Sequence, residues 1–313
     1  MMIRISQRVK RLARRILFPP PSAAPREVQE WSIGIYTGTT PWQIVPADHI
    51  INPVLTRHDV TDAQATFVAD PFMLSVDGTW YMFFEVMNSK TGKGEIALAT
   101  SADGFTWKYQ QIVLDEPFHL SYPYVFAWGD DYYMVPESWK AGEVRLYRAT
   151  DFPTQWTWVE TLLELPYIVD SSVFYAGGRW WMFAETGADL SFDTLRLYCA
   201  EALTGPWVEH PQSPVVSGNP HIARPAGRVL VEGNRVIRFA QDCSPKYGLQ
   251  VFAFEVRELT PERYAERPLI SSPILGGTGT GWNSHRMHHI DAHRLDDGQW
   301  IACVDGWRSL MVE

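Results

Sequence analysis

Three stretches of the chain run through short apolar segments and then end on a charge: "DPFMLSVDGTWYMFFE" (70–85), "YPYVFAWGDDYYMVPE" (122–137) and "DSSVFYAGGRWWMFAE" (170–185). Each reads as an apolar strand, a turn rich in Gly and Asp, and an aromatic strand, which is the pattern of a β-hairpin. The first and last residues stand fifteen apart every time. A regular hairpin therefore sets Asp70 opposite Glu85, Tyr122 opposite Glu137 and Asp170 opposite Glu185, with Cβ atoms about 4.5–5.5 Å apart. A second pair of strands follows each hairpin, in "GEIALATSADGFTWKYQQIVL" (94–114), "GEVRLYRATDFPTQWTWVETLL" (142–163) and "DTLRLYCAEALTGPWVEH" (193–210). Four strands in a unit of roughly 50 residues is the signature of a propeller blade.

A fourth unit reads "RPAGRVLVEGNRVIRFAQD" (224–242) with "GLQVFAFEV" (248–256), and a fifth reads "DAHRLDDGQWIACVDG" (291–306) without outer strands. The early segment "WSIGIYTGTTPWQIV" (31–45) can supply them. The expected fold is all-β: a five-bladed β-propeller over residues 27–313, its ring closed by N-terminal strands that complete the last blade.

Composition agrees. The 313 residues are 46% apolar and 20% charged, as in globular domains, and Trp (14), Tyr (13) and Phe (15) favour strands. Cys199, Cys243 and Cys303 cannot all pair, and each stands in an apolar strand context, the setting of small buried thiols in a reducing, cytoplasmic compartment. Residues 1–26 carry seven cations and no acid, so a formal charge of −9 for the whole leaves the rest at −16. A body this acidic is not expected to bind nucleic acid, which needs clustered cations. In "MMIRISQRVKRLARRILFPPP", Ile5, Val9, Leu12 and Ile16 follow helical spacing among arginines. Two readings stay open for residues 1–26: a basic amphipathic helix making peripheral contact with an anionic membrane through residues 1–18, or a disordered tail.

The hairpin ends collect side chains at one mouth of the ring: Asp70, Glu85, Tyr122, Glu137, Asp170, Glu185, Arg224, Gln241, Asp242, His289, Asp291 and Asp305, with His221 from a nearby loop. Carboxylates accept hydroxyl hydrogen bonds, and crowded carboxylates raise one another's pKa, so that one can serve as acid while another serves as base. Glycosidic-bond chemistry needs that pair. Glu185 follows the apolar "WWMFA" and is expected to hold its proton better than Glu137 or Glu85, which are expected to be exposed. His285, His288, His289 and His293 match no zinc signature. No cofactor is expected, with one exception left open, a structural calcium or other metal near His289. No phosphate loop, Ser–His–Asp pattern or dinucleotide fingerprint is present.

The phrases "FVADPFML", "MFFEVMNSKTGKGEIALATS", "VLDEPFHLSYPYVF", "GNPHIARPAGRVL", "IRFAQDC" and "MHHIDAHRLDDGQWIACVDGWR" resemble the N-terminal propeller domain of glucosamine inositolphosphorylceramide transferase and its stand-alone bacterial relatives, over about residues 60–308. In the plant enzymes of that family a separate glycosyltransferase domain follows the propeller. More distantly, "ADPF" is similar to the five-bladed glycoside hydrolase family 43. That resemblance implies Asp70 as general base and, from "DSSVF", Asp170 as the residue that modulates its pKa. The family's Glu-Gly-Pro acid motif is missing, with "ARPAG" in a comparable place, so the proton donor is not assigned by resemblance.

These readings converge on a propeller enzyme that hydrolyses or transfers a glycosyl unit in cell-envelope glycan or glycolipid metabolism. Asp70 would be base or nucleophile, Asp170 modulator and Glu185 or Glu137 acid. Glu85, Tyr122, Glu137, His221, Arg224, His289 and Asp291 would hold the sugar or an anionic group on it. The alternative is a non-catalytic glycan-binding module that works with a separate glycosyltransferase.

Overall fold

The computed structural model describes residues 26–270 and 272–312. The basic segment at residues 1–18, with its membrane reading, lies outside them. Five antiparallel sheets form a five-bladed β-propeller, as the repeat predicts. The first blade runs Ala65–Val76, Thr79–Asn88, Lys93–Ser101 and Lys108–Leu114. The second runs Ser121–Trp128, Asp131–Glu137, Glu143–Asp151 and Gln155–Glu164. The third runs Val169–Ala176, Arg179–Glu185, Leu195–Ala200 and Val208–Glu209. In the fourth, Arg224–Pro225, Arg235–Gln241, Gln250–Leu259 and Tyr264–Pro268 pair in order, with Leu230–Glu232 and Leu275–Gly276 attached.

The fifth blade pairs Ile290–Arg294 with Trp300–Val312, then takes its outer strands from the N-terminal side, Arg26–Thr40 and Gln43–Pro46. Closure thus joins strands from opposite ends of the sequence in one sheet. The compact unit that holds the ring is Glu30–Arg308; the described part of a second small unit is residues 26–29 and 309–312. The helices among the described residues are three single 3-10 turns, and none is long and apolar enough to cross a membrane. Cys199, Cys243 and Cys303 are free thiols, two of them buried.

The hairpin registers differ from the sequence expectation by one residue. Glu85 pairs with Ala69, Glu137 with Ser121 and Glu185 with Val169. Pairing resumes at Phe72–Phe83, Tyr124–Val135 and Ser172–Phe183, so two residues oppose one in each hairpin. That is a β-bulge, and it occurs three times at the same place. Its first residue is Asp70, Tyr122 or Asp170, with φ of 53°, 44° and 51°. Glycine is the usual occupant of that left-handed region, and Asp tolerates it better than bulky Tyr. Each costs on the order of 1 kcal/mol or more, strain that proteins keep where a side chain must be aimed.

The ring centre is braced by two polar knots. The Tyr122 hydroxyl lies 2.8 Å from the Ser172 hydroxyl, donates to the Gly227 carbonyl at 2.9 Å and accepts from the Gly227 N–H at 2.6 Å, joining the second, third and fourth blades. Gly227 holds φ of 129°, and a Cβ there would meet the Ile290 carbonyl oxygen at 1.8 Å, so only glycine fits. In the other knot, Arg228 donates to Asp291 at 2.6 Å and to the Val125 carbonyl at 2.9 Å, while the Met73 N–H donates to Asp291 at 2.6 Å.

Candidate functional site

The bulges aim Asp70 and Asp170 from the inner strands, and the second strands carry Glu85, Glu137 and Glu185 beside them, the last two as their final residues. All five carboxylates are buried. Glu85 and Glu137 therefore depart from the expectation that they are exposed, at 6% and 5%. Buried apolar neighbours precede the glutamate in each strand, which carries it inward with them.

Their partners differ. Asp170 takes the Arg224 guanidinium at 2.6 Å and the Gln241 amide at 3.1 Å on Oδ2, and its Oδ1 has no hydrogen-bond partner. Glu185 accepts the Gly187 N–H at 2.6 Å on Oε1, and its Oε2 has none. Glu137 has both oxygens engaged, by the Ser121 hydroxyl at 2.8 Å and the Trp139 N–H at 2.7 Å. Glu85 faces His119 Nε2 at 3.4 Å. Asp70 accepts the Tyr122 N–H at 3.3 Å. Its Oδ1 faces His289 Nδ1 at 3.7 Å and His288 Nε2 at 3.9 Å.

Burial dominates the electrostatics, because a carboxylate loses hydration it does not fully recover. It pushes Asp70, Glu137 and Glu185 up to about 7. His288 opposes the rise at Asp70, whereas backbone N–H groups oppose it at the two glutamates. Glu85 is raised well above the carboxyl range, by burial and then by Asp70 and Glu137. Burial also drives the His289 imidazole down to about 4. At His288 burial disfavours the charge, but Asp305, 2.7 Å away, outweighs it and raises the pKa.

Of the other expected site residues, Arg224 lies beneath two aromatic faces, Phe192 at 4.7 Å and Tyr247 at 4.9 Å. His221 Nδ1 lies 2.9 Å from Asp242 Oδ1 and is half exposed at the rim. The structure gives Tyr122 and Asp291 to the two central knots, where their polar atoms are engaged within the protein. His293 sits on the same strand face as Asp291, 3.0 Å from it, as alternation predicts, whereas His289 precedes the strand and turns to Asp70. Sequence reasoning missed Tyr167, whose buried hydroxyl has no partner and is within electrostatic reach of Arg224, Glu185 and Asp170. It also missed Phe192, Tyr247, His119 and Arg228. Only the place of Tyr167, three residues before Asp170, could have pointed to it.

A pH dependence follows from Glu137 and Glu185. Their pKa of about 7 in the folded protein lies above the ordinary 4.5. Between those values the folded chain holds protons that the unfolded chain releases, so this stability is full below about pH 4.5 and is lost as pH rises through 7. Thermal unfolding of the Glu137→Gln/Glu185→Gln double variant should show a smaller drop in midpoint from pH 5 to pH 7.5 than wild type. An unchanged drop contradicts the assignment.

The family described as glucosamine inositolphosphorylceramide transferase 1, N-terminal, matches residues 25–307. Glucosamine inositolphosphorylceramide transferase 1 of Oryza sativa subsp. japonica is 38% identical over 299 residues, covering 89% of this chain and 40% of that protein. The protein of that name from Arabidopsis thaliana is 33% identical over 298 residues, covering 89% and 39%. The chain thus spans about two fifths of the length of these relatives. Among solved structures, a family 117 glycoside hydrolase of the marine bacterium Zobellia galactanivorans superposes with a TM-score of 0.54 at 14% identity, covering 77% of this chain and 84% of that one, a likeness of fold. With its match running through all five blades, the chain belongs to the family of the N-terminal region of glucosamine inositolphosphorylceramide transferase 1.

Proposed function

We propose that the mouth of the ring binds a glycan and cleaves or transfers a glycosyl unit, with Asp70 as base, Asp170 as its modulator and Glu185 as proton donor. One observation carries this reading. Asp170 Oδ1, Glu185 Oε2 and the Tyr167 hydroxyl are buried without hydrogen-bond partners, all within reach of Arg224. Unpaired buried polar atoms cost about 1–3 kcal/mol each unless something bonds them, and sugar hydroxyls do so. A carboxyl group at about 7 keeps enough proton near neutral pH to act as an acid. In the step, Asp70 takes the proton of the attacking hydroxyl, from water or a sugar, as that oxygen bonds the anomeric carbon. Glu185 gives its proton to the departing oxygen, so charge and protons balance.

The curated relatives carry a transferase name, and the chain spans only part of them, so transfer to a glycolipid-type acceptor belongs to the same proposal. A second reading is recognition without turnover, beside a separate glycosyltransferase. Arg224 favours it, since a buried guanidinium under two aromatic rings suits a grip on a ligand.

The test is a panel of aryl glycosides alongside a glycan array, with wild type and Asp70→Asn. Asn tolerates the left-handed backbone at position 70, so the variant should fold within about 1 kcal/mol of wild type. Turnover should fall by roughly 10² while glycan binding persists. Wild-type binding without turnover would move the assignment to recognition. Full turnover by Asp70→Asn would remove the base from the account.

A further inference from the structure

The hairpin turns of the inner strands lie at the other end of the ring from the carboxylates. Trp128 pairs with Asp131 across one turn and Ala176 with Arg179 across another, whereas Ser121 and Val169 pair with Glu137 and Glu185. At about 3.3 Å per residue, Trp128 stands roughly 20 Å along its strand from Tyr122. Positions beside a turn are normally polar. Yet Trp128, Tyr175 and Val231 are 42%, 39% and 38% exposed. They are three of the nine large apolar residues exposed among the described residues. They come from the second, third and fourth blades to line one pocket of about 200 Å³. Exposed apolar side chains scattered singly need no explanation, but three that converge on a concave site mark a place where something binds.

The pocket has the parts that a sugar ring needs. Its wall is aromatic: the Trp128 and Tyr175 rings stand 4.7 Å apart between centroids at 48°, and buried Trp180 braces both at 4.7 and 5.4 Å. Rings braced in this way lose little conformational freedom when a ligand stacks on them. Arg228 also lines the pocket. Its guanidinium bonds Asp291, Met73 and Val125 through Nε and Nη2, and Nη1 has no hydrogen-bond partner among the described residues. Asp291 already matches the charge, so the spare N–H suits a neutral hydroxyl better than an anion. Across the turns, the part-exposed Asp131 and Arg179 offer an acceptor and donors to outer hydroxyls. Size selects among ligands. Drug-sized molecules fill about 300–1,000 Å³, and a stable protein partner covers about 800 Å² of surface, whereas this pocket holds about one pyranose ring.

We propose that this pocket is a second, non-catalytic glycan site, which holds one pyranose ring with its C–H face on Trp128 and Tyr175 and a hydroxyl on Arg228 Nη1. It lies on the face of the ring opposite the carboxylates, so it goes beyond the glycan reading of the mouth and does not depend on it.

The test is titration with a panel of methyl pyranosides, followed by saturation-transfer NMR and Trp fluorescence. At least one should bind wild type with a Kd on the order of 1 mM, as a ligand of one ring does. Trp128→Ala and Tyr175→Ala should each weaken that binding at least 10-fold, and Trp128→Phe should weaken it less, because a ring remains. Thermal unfolding checks each variant, and Trp128→Phe carries the test if alanine loosens the hairpin. Asp170→Asn at the mouth should keep this site. The proposal is overturned if no methyl pyranoside binds, or if all three aromatic variants bind as tightly as wild type. It is overturned equally if loss follows Asp170→Asn and none of the aromatic variants, which gives the sugar to the mouth alone. A wild-type dimer that Trp128→Ala returns to monomer would also overturn it, by giving the patch to a second copy of the chain. Failure of the mouth reading leaves the result at Trp128 unchanged, so the two are told apart.

Discussion

Glu185→Gln is expected to slow action on glycosides with poor leaving groups by between about 10² and 10⁴, while substrates with good leaving groups retain much of their rate. Glutamine keeps the shape and the Gly187 hydrogen bond but has no proton to give, and a departing group that is already a stable anion needs none. The choice of Glu185 over Glu137 rests on geometry, since burial raises both to about 7. Glu137 spends its two oxygens on Ser121 and the Trp139 N–H, whereas Glu185 keeps Oε2 free. Rates measured across a leaving-group series decide the matter. Equal slowing of all substrates would give Glu185 a structural role, and no slowing would pass the role of donor to another group.

Arg228→Met is expected to destabilise the fold by about 3–5 kcal/mol, the usual result of stripping one partner from a buried ion pair. Asp291 is fully buried, and Arg228 holds its carboxyl well below the usual range although burial opposes this. The same guanidinium also donates to the Met73 and Val125 carbonyls, so one side chain of the fourth blade bonds the first, second and fifth. At this chain length the unfolding midpoint should fall on the order of 10 °C. Adding Asp291→Asn should restore part of the loss, because the uncompensated charge goes with it. A loss under about 1 kcal/mol in Arg228→Met would show that the knot does not hold the blades together.

The architecture was legible because propeller blades repeat, and the repeat survives in "YMFFE", "YMVPE" and "WMFAE" with their fixed fifteen-residue spans. Closure by the N-terminal strands was legible for the same reason, since the fifth unit lacked outer strands. The bulges were not. An extra residue in one strand leaves the apolar pattern intact, and no glycine marks positions 70, 122 or 170 to betray a left-handed backbone. That single hidden residue moved Asp70 and Asp170 out of direct register with their glutamates. Side-chain engagement was equally hidden: nothing in "YPYVF" says that the Tyr122 hydroxyl reaches Gly227, more than a hundred residues away. Arg228 left no local trace because its partners come from other blades.

A glycan is expected to be held at the buried, unpaired oxygens of the mouth. The most direct measurement is a crystal structure of Glu185→Gln with a glycan selected on the array using that same variant. The expected complex has a sugar ring with hydroxyls within about 2.7–3.2 Å of Asp170 Oδ1 and the Tyr167 hydroxyl, its glycosidic oxygen facing position 185. A sugar bound on the outer blades, or on the opposite face of the ring, would contradict it.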